Sequence, residues 1–269
     1  MSTTSSTLEI AGRAGRLHVH HWPCENARYV LLLSHGYGEH AGRYEHVAQA
    51  LVAHGADVYA PDHHGHGLSE GDRALLTDFD AVQVADLDAV ADLAVAANPG
   101  LPLVLLGHSM GGLIATRYAQ LHGERLRGLI LSGPALGAEN PMFGLLELDP
   151  IPDVPLDPAV LSRDPAVGEA YAADTLVYHG PFQRPTLEAF LASAKAIEAG
   201  PGFGDLPLLY VHGTEDQLVP YPLARAVVER LQGPDSEHHA YEGAMHEVLN
   251  ETNKDEVIAA VTAFVDRVL

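Results

Sequence analysis

Apolar positions along the chain alternate between short continuous runs and longer segments of helical period. Leu8–Ile10 and Leu17–Trp22 flank a turn at Gly12–Gly15 and read as an opening hairpin. Tyr29–Ser34 is a nearly unbroken apolar run, as expected of a strand buried on both faces of a parallel sheet. Arg43–His54 has helical periodicity and stops at Gly55. A short strand, Asp57–Ala60, is closed by Pro61, and Asp78–Ala97 is an Ala/Val/Leu helix stopped by Asn98-Pro99-Gly100. The run Leu103–Leu106 precedes Gly107-His108-Ser109-Met110-Gly111, a helix over Gly112–His122 and a strand at Leu129–Ser132. After Gly133-Pro134 the alternation lapses. Residues 140–161 are rich in proline and apolar side chains, followed by helical pieces at Ala166–Ala173 and Thr186–Ala199. It resumes with a strand at Leu208–Val211, a helix at Tyr221–Leu231, a strand at Glu237–Glu242 and a final helix at Lys254–Leu269. Eight strands alternating with helices predict an α/β fold, a mostly parallel sheet with helices on both faces. Residues 1–134 and 204–269 would form its core, with 135–203 as a cap inserted after the sixth strand.

Composition narrows the partners. Thirty-six acidic residues against 15 basic give a formal charge of -21, which repels nucleic acid and anionic lipid surfaces. Cys24 is the only cysteine, so no intramolecular disulfide can form. The Ser/Thr-rich stretch Met1–Thr7 lacks the basic and apolar regions of a signal peptide. No apolar run approaches the roughly 18 residues of a membrane span. A soluble cytoplasmic protein is the expectation.

Gly-x-Ser-x-Gly between a strand and a helix is the pattern of a nucleophile elbow, whose tight turn strains the serine and presents it at a helix N-terminus. A serine hydroxyl needs a general base, and the base needs an orienting carboxylate. In parallel sheets, ligands gather where the strands end. The strand Leu208–Val211 runs into His212-Gly213-Thr214-Glu215-Asp216, and the strand Glu237–Glu242 into Gly243-Ala244-Met245-His246. Asp216, with Glu215 as the alternative, and His246 are therefore the candidate acid and base. His238 and His239 fall within a strand and read as structural. An oxyanion hole needs two backbone donors. Met110 follows the nucleophile, and Tyr37 lies in the loop His35-Gly36-Tyr37-Gly38 after an earlier strand.

These segments together resemble the monoacylglycerol lipase family of α/β-hydrolases, bacterial members in particular. The resemblance runs through His35-Gly36-Tyr37-Gly38-Glu39-His40 with Arg43-Tyr44, then Asp62-His63-His64-Gly65-His66-Gly67-Leu68-Ser69-Glu70-Gly71, and then the Ser109 pentapeptide with Gly112. It continues through Ser162-Arg163-Asp164-Pro165, Leu176-Val177-Tyr178-His179-Gly180, His212 to Pro220, and His246 to Glu251. It implies an α/β-hydrolase fold, a triad of Ser109, Asp216 and His246, and an oxyanion hole from the Tyr37 and Met110 amides. The implied reaction is hydrolysis of a monoacylglycerol through an acyl-enzyme, with Leu176 and Leu218 as candidates to line the substrate site. No cofactor and no metal are implied. His64 stands where the family usually carries arginine, and Ala244-Met245 where an aromatic residue is common. The cap is short between Pro134 and Leu161, and acidic residues interrupt it. Met142, Phe143, Leu145, Leu146 and Leu148 could face a lipid surface for a weak peripheral contact, line an acyl tunnel or pack on the core.

Other readings compete. A broader carboxylesterase or lysophospholipase is the nearest rival. An aminopeptidase would need an anchor for a peptide terminus, which the sequence does not display. His63-His64-x-His66 suggests a metallohydrolase, and a non-catalytic binding module is the last alternative.

Overall fold

The computed structural model describes residues 5–154 and 156–269; part of the Ser/Thr-rich N-terminal stretch thus lies outside the described residues. One eight-stranded sheet runs in the order β1-β2-β4-β3-β5-β6-β7-β8. Its strands are β1 (Ser6–Ala11), β2 (Arg16–Trp22), β3 (Tyr29–Ser34), β4 (Ala56–Pro61), β5 (Leu103–His108), β6 (Leu126–Ser132), β7 (Leu208–Gly213) and β8 (Ser236–Tyr241). The opening hairpin β1–β2 is antiparallel and joins β4 antiparallel, whereas β4, β3, β5, β6, β7 and β8 pair in parallel.

The apolar runs become strands because both faces of the sheet are covered. Along β3, Val30 and Leu32 enter one core while Leu31 and Leu33 enter the other; Leu208 and Tyr210 of β7 alternate in the same way with Leu209 and Val211. This is the two-residue period of a strand, hidden in the sequence because neither side meets water. The first core is closed by α2 (Ala85–Ala97), α3 (Met110–His122) and α6 (Tyr221–Leu231), the second by α1 (Glu45–Ala53) and α7 (Lys254–Val268). Each fully buried leucine contributes about 1.5–3 kcal/mol.

Several helices start differently from their sequence periodicity. The segment expected over 43–54 divides into a 3-10 turn, Ala41–Tyr44, and α1. The segment over 78–97 opens with a π-helical turn, Phe79–Val84, capped by the Asp78 carboxylate, which accepts from the Ala81 amide at 2.9 Å. Its wider turn lets Phe79 and Val84, five residues apart, both reach the first core. Helix α3 begins at Met110, before the glycine pair, so the elbow and the helix are continuous.

Between β6 and β7 lie 3-10 turns at Pro141–Glu147 and Pro158–Val160, then α4 (Pro165–Ala173) and α5 (Arg184–Ala199). Ala189, Phe190 and Ile197 of α5 pack into the first core, whereas Leu161, Tyr171 and Val177 form a small separate cluster with Leu218 against it. Leu148, Val154 and Leu156 in this segment stay exposed. Phe143 is partly buried on the first core. No described helix is long and apolar enough to cross a membrane.

Candidate active site

Strand β5 delivers Ser109 through a turn only glycine neighbours permit. Ser109 has φ 54° and ψ -118°, in the region that disfavours L side chains. A Cβ at Gly107 would lie 2.2 Å from the Gly111 carbonyl oxygen, and one at Gly111 would lie 1.9 Å from that of Ser34. The strained turn is held by main-chain bonds: the Ser109 amide donates to the Ser132 carbonyl at 3.0 Å, and the Ser109 carbonyl accepts from Leu113 and Ala135 at 3.1 and 2.9 Å. Ser109 Oγ has no hydrogen-bond partner among the described residues and is only half-buried.

The loops after β7 and β8 bring Asp216 and His246 together. His246 Nδ1 donates to Asp216 Oδ2 at 2.7 Å, with both side chains buried. An ionised carboxylate only accepts, so the imidazole proton sits on Nδ1 and the Nε2 lone pair is free. Burial works against charge on His246, but the Asp216 carboxylate outweighs it and holds the imidazole above its ordinary pKa. Burial would likewise raise Asp216, yet His246 and His212 keep it well below the usual carboxylate range. Glu215 is exposed and points its amide to the Ala244 carbonyl; Asp216, not Glu215, meets the histidine. Gly133 follows Ser132, the main-chain partner of Ser109, and a Cβ there would lie 3.6 Å from His246 Nδ1 and 3.5 Å from Asp216 Oδ2. The three strand ends thus converge.

His108, inside the pentapeptide, lies with its ring 4.8 Å from that of His246. Burial and the neighbouring His246 push it down to about 3, so it stays neutral and leaves Asp216 to its partner. Its Nδ1 meets Ser132 Oγ at 3.0 Å.

The loop carrying Tyr37 is clamped by two carboxylates. The Gly36 amide and the Tyr44 hydroxyl both donate to Glu39 Oε1 at 2.6 Å. Arg43 pairs with Glu39 and reaches across the chain to Glu247 through two bonds of 2.7 and 2.9 Å. It therefore ties the Tyr37 loop to the residue following His246. Burial opposes charge on Glu39, but Arg43 holds its carboxyl below the usual range. Removing only the cation would strand two buried anions. Arg43→Met is expected to lower unfolding free energy by about 3–5 kcal/mol, read from urea melts; a loss below about 1 kcal/mol would show the clamp to be dispensable.

Tyr37 itself stacks on Phe182 at 4.9 Å between ring centroids and donates its hydroxyl to the Ala74 carbonyl at 3.1 Å. Among the described residues no protein acceptor engages the Tyr37 or Met110 amide. Gly38 has φ 77°, and the Tyr178 amide donates to its carbonyl at 2.6 Å. Leu218 lies beside Asp216, its amide donating to Asp216 Oδ1 at 2.9 Å, and packs on the Leu161–Tyr171–Val177 cluster. Leu176 is outside that cluster; its carbonyl accepts from Arg73, and its neighbour Val177 supplies the buried contact.

His212 has a place that periodicity did not reveal. Its Nε2 donates to Asp216 Oδ2 at 2.9 Å and lies 3.0 Å from the Val219 carbonyl, while Nδ1 accepts from the Tyr210 hydroxyl at 2.6 Å. Its position at the end of β7 was the available signal. Of the histidines of the metal alternative, His63 Nε2 meets Ser34 Oγ at 2.8 Å and His66 Nδ1 meets the His64 carbonyl at 3.1 Å, and the three do not form a group at ligand spacing among the described residues.

A mostly parallel eight-stranded sheet with a serine elbow and a His–Asp pair on successive strand ends defines an α/β-hydrolase. The family model described as serine aminopeptidase, S33, matches residues 25–253. A monoacylglycerol lipase of Mycolicibacterium smegmatis is 38% identical over 98% of both chains, and the human monoglyceride lipase is 33% identical over 86% of this chain and 79% of its own. A Paleococcus ferrophilus monoacylglycerol lipase structure superposes with a TM-score of 0.79 at 27% identity, covering 94% of this chain and 99% of the other. The chain belongs to the monoacylglycerol lipase family, within the serine ester hydrolases.

Proposed function

We propose that this chain hydrolyses monoacylglycerols to glycerol and fatty acid, with Ser109 as nucleophile, His246 as general base and Asp216 as its orienting carboxylate. The observation that carries the reading is the buried 2.7 Å Asp216–His246 pair beside the strained Ser109 turn. His246 Nε2 takes the Ser109 proton as Oγ attacks the ester carbonyl, and the Tyr37 and Met110 amides stabilise the oxyanion. His246 then returns the proton to the departing glycerol oxygen. Water, deprotonated by the same nitrogen, attacks the acyl-enzyme and releases the fatty acid, regenerating Ser109. Residues 135–203 act as the cap over this site. Leu218 and the residues around Leu176 face the acyl chain, and exposed Leu148, Val154 and Leu156 supply a weak lipid contact. A cytoplasmic location accords with the sequence reading.

The aminopeptidase named by the family model would need a free carboxylate for a peptide amine. Glu39 and Glu247, which adjoin the Tyr37 and His246 loops, are instead engaged by Arg43.

A kcat/KM series over glyceryl and methyl esters of matched chain length tests the substrate. Glyceryl esters are expected to lead by about fivefold, the worth of one net hydrogen bond to a glycerol hydroxyl. Equal rates would point to a broader carboxylesterase. The pH profile tests the base. Only neutral His246 accepts the proton, so kcat/KM is expected to rise with pH, through a pKa above the ordinary histidine value. A flat profile between about pH 5 and 8 would refute the assignment.

A further inference from the structure

A second group of titratable side chains lies on the antiparallel side of the sheet and shares no residue with the Ser109 site. His18 and His20 project from one face of β2, two residues apart, and Asp62 follows the end of β4. The Asp62 amide donates to the His18 carbonyl at 2.8 Å, which fixes the carboxylate beside both rings. One ligand atom from each of the three lies within 4.8 Å of the others.

Three features set this group apart from an ordinary polar cluster. First, His18 Nδ1 donates to the Glu9 carboxylate at 2.8 Å. Since a carboxylate only accepts, the proton is on Nδ1 and the lone pair on Nε2. Second, His18 Nε2 and His20 Nε2 are both buried with no hydrogen-bond partner, although His18 is only 7% exposed. Third, Asp62 is completely buried, yet no lysine or arginine pairs with it among the described residues. Its oxygens receive the amides of Ala41 and Leu68 at 2.9 and 2.8 Å, and its one ionic neighbour is His20 Nε2 at 3.4 Å. A buried anion with no lysine or arginine beside it, an unpaired His18 nitrogen and a His20 nitrogen held only at 3.4 Å from Asp62 each cost stability. A cation among them would satisfy all three.

We propose that His18 Nε2, His20 Nε2 and an oxygen of Asp62 bind a divalent transition-metal ion, Zn2+ foremost, that joins β2 to the loop after β4. Two imidazoles and one carboxylate suit zinc rather than magnesium or calcium, which prefer oxygen alone. Glu9 acts behind His18 as the carboxylate that sets its tautomer, an arrangement general among metal-binding histidines. Zinc bonds of about 2.0–2.1 Å in a tetrahedron require donors about 3.3 Å apart, so the widest pair closes by ring rotation on binding. Water takes the remaining position, and the role is structural.

The test uses the full-length protein, stripped with a chelator and titrated with ZnCl2 against a chromophoric competitor, with CoCl2 absorption as a second readout. The wild type is expected to take one tight equivalent, with a visible spectrum of tetrahedral Co2+ and a higher melting temperature. His18→Gln and His20→Gln are expected to lose at least about tenfold in affinity, and Glu9→Gln about 10–100-fold. Glu9 is exposed, so its variant remains informative if the histidine variants fold poorly. Exposed His239→Gln is expected to leave binding unchanged. Absence of a tight equivalent in the wild type would overturn the proposal. So would affinity that survives in folded His18→Gln and Glu9→Gln, since the zinc would then sit on surface histidines.

Discussion

Ser109→Ala is expected to lower kcat on ester substrates by about 10^6-fold, the scale on which a serine hydrolase loses its nucleophile, while leaving the fold intact. The two halves of that expectation have separate physical grounds. No other hydroxyl can occupy the position: the elbow presents one side chain, and Gly107 and Gly111 on either side leave no room for another. On stability, the hydroxyl makes no hydrogen bond among the described residues, so its removal leaves no buried donor unpaired. The strain at φ 54° is carried by the Cβ that serine and alanine share. Unfolding free energy should therefore change by no more than about 0.5 kcal/mol. Steady-state kinetics and a urea melt on the same preparation check both. Substantial turnover by a folded Ser109→Ala protein would remove Ser109 from the mechanism.

How much of this was legible in the sequence follows from the range of the forces involved. Ser109 and Asp216 each stand after an apolar run and His246 after the last strand of the alternation, which is itself largely polar, and a parallel sheet gathers strand ends on one edge. Local pattern therefore points all three to one edge of the sheet. The pentapeptide's glycines, Gly107 and Gly111, are legible too, because a missing Cβ is a local signature of close approach. The buried strands were readable as runs, although the run concealed the alternation that divides Val30 from Leu31 between two cores. The clamp was not readable. Glu39 and Arg43 stand four apart and suggest a helical ion pair, but nothing local says that Arg43 also meets Glu247, 204 positions away. His212 shows the same limit: a histidine ending a strand is visible, but its bond to Asp216 depends on how the next loop folds back. The helical period of 186–199 was equally clear, whereas its packing through Phe190 into the main core needed the fold. The π-turn at 79–84 answers to tertiary burial of two residues at a spacing that an α-helix would separate.

Asp216→Asn is expected to lower kcat by about 10^4-fold, the effect of leaving a catalytic histidine in the wrong tautomer. Four donors surround the carboxylate. Leu218 and Val219 amides bind Oδ1 at 2.9 Å each, and His246 Nδ1 and His212 Nε2 bind Oδ2 at 2.7 and 2.9 Å. An asparagine has one acceptor oxygen and one donor nitrogen. The two backbone amides cannot change their hydrogens, so they hold the asparagine oxygen at the Oδ1 position. The amide nitrogen then faces both histidines and must donate. His212 can still donate to the Val219 carbonyl, 3.0 Å away. His246 can meet that nitrogen only by accepting at Nδ1, which moves its proton to Nε2 and removes the lone pair that would take the Ser109 proton. Because the shape is nearly unchanged, the variant should fold and bind substrate, with the loss in kcat rather than KM. The loss should also persist at high pH, since a tautomer, unlike a protonated base, is not restored by deprotonation of the ring. Near-full activity with a pH profile shifted to lower pH would instead show that Asp216 acts only by raising the His246 pKa.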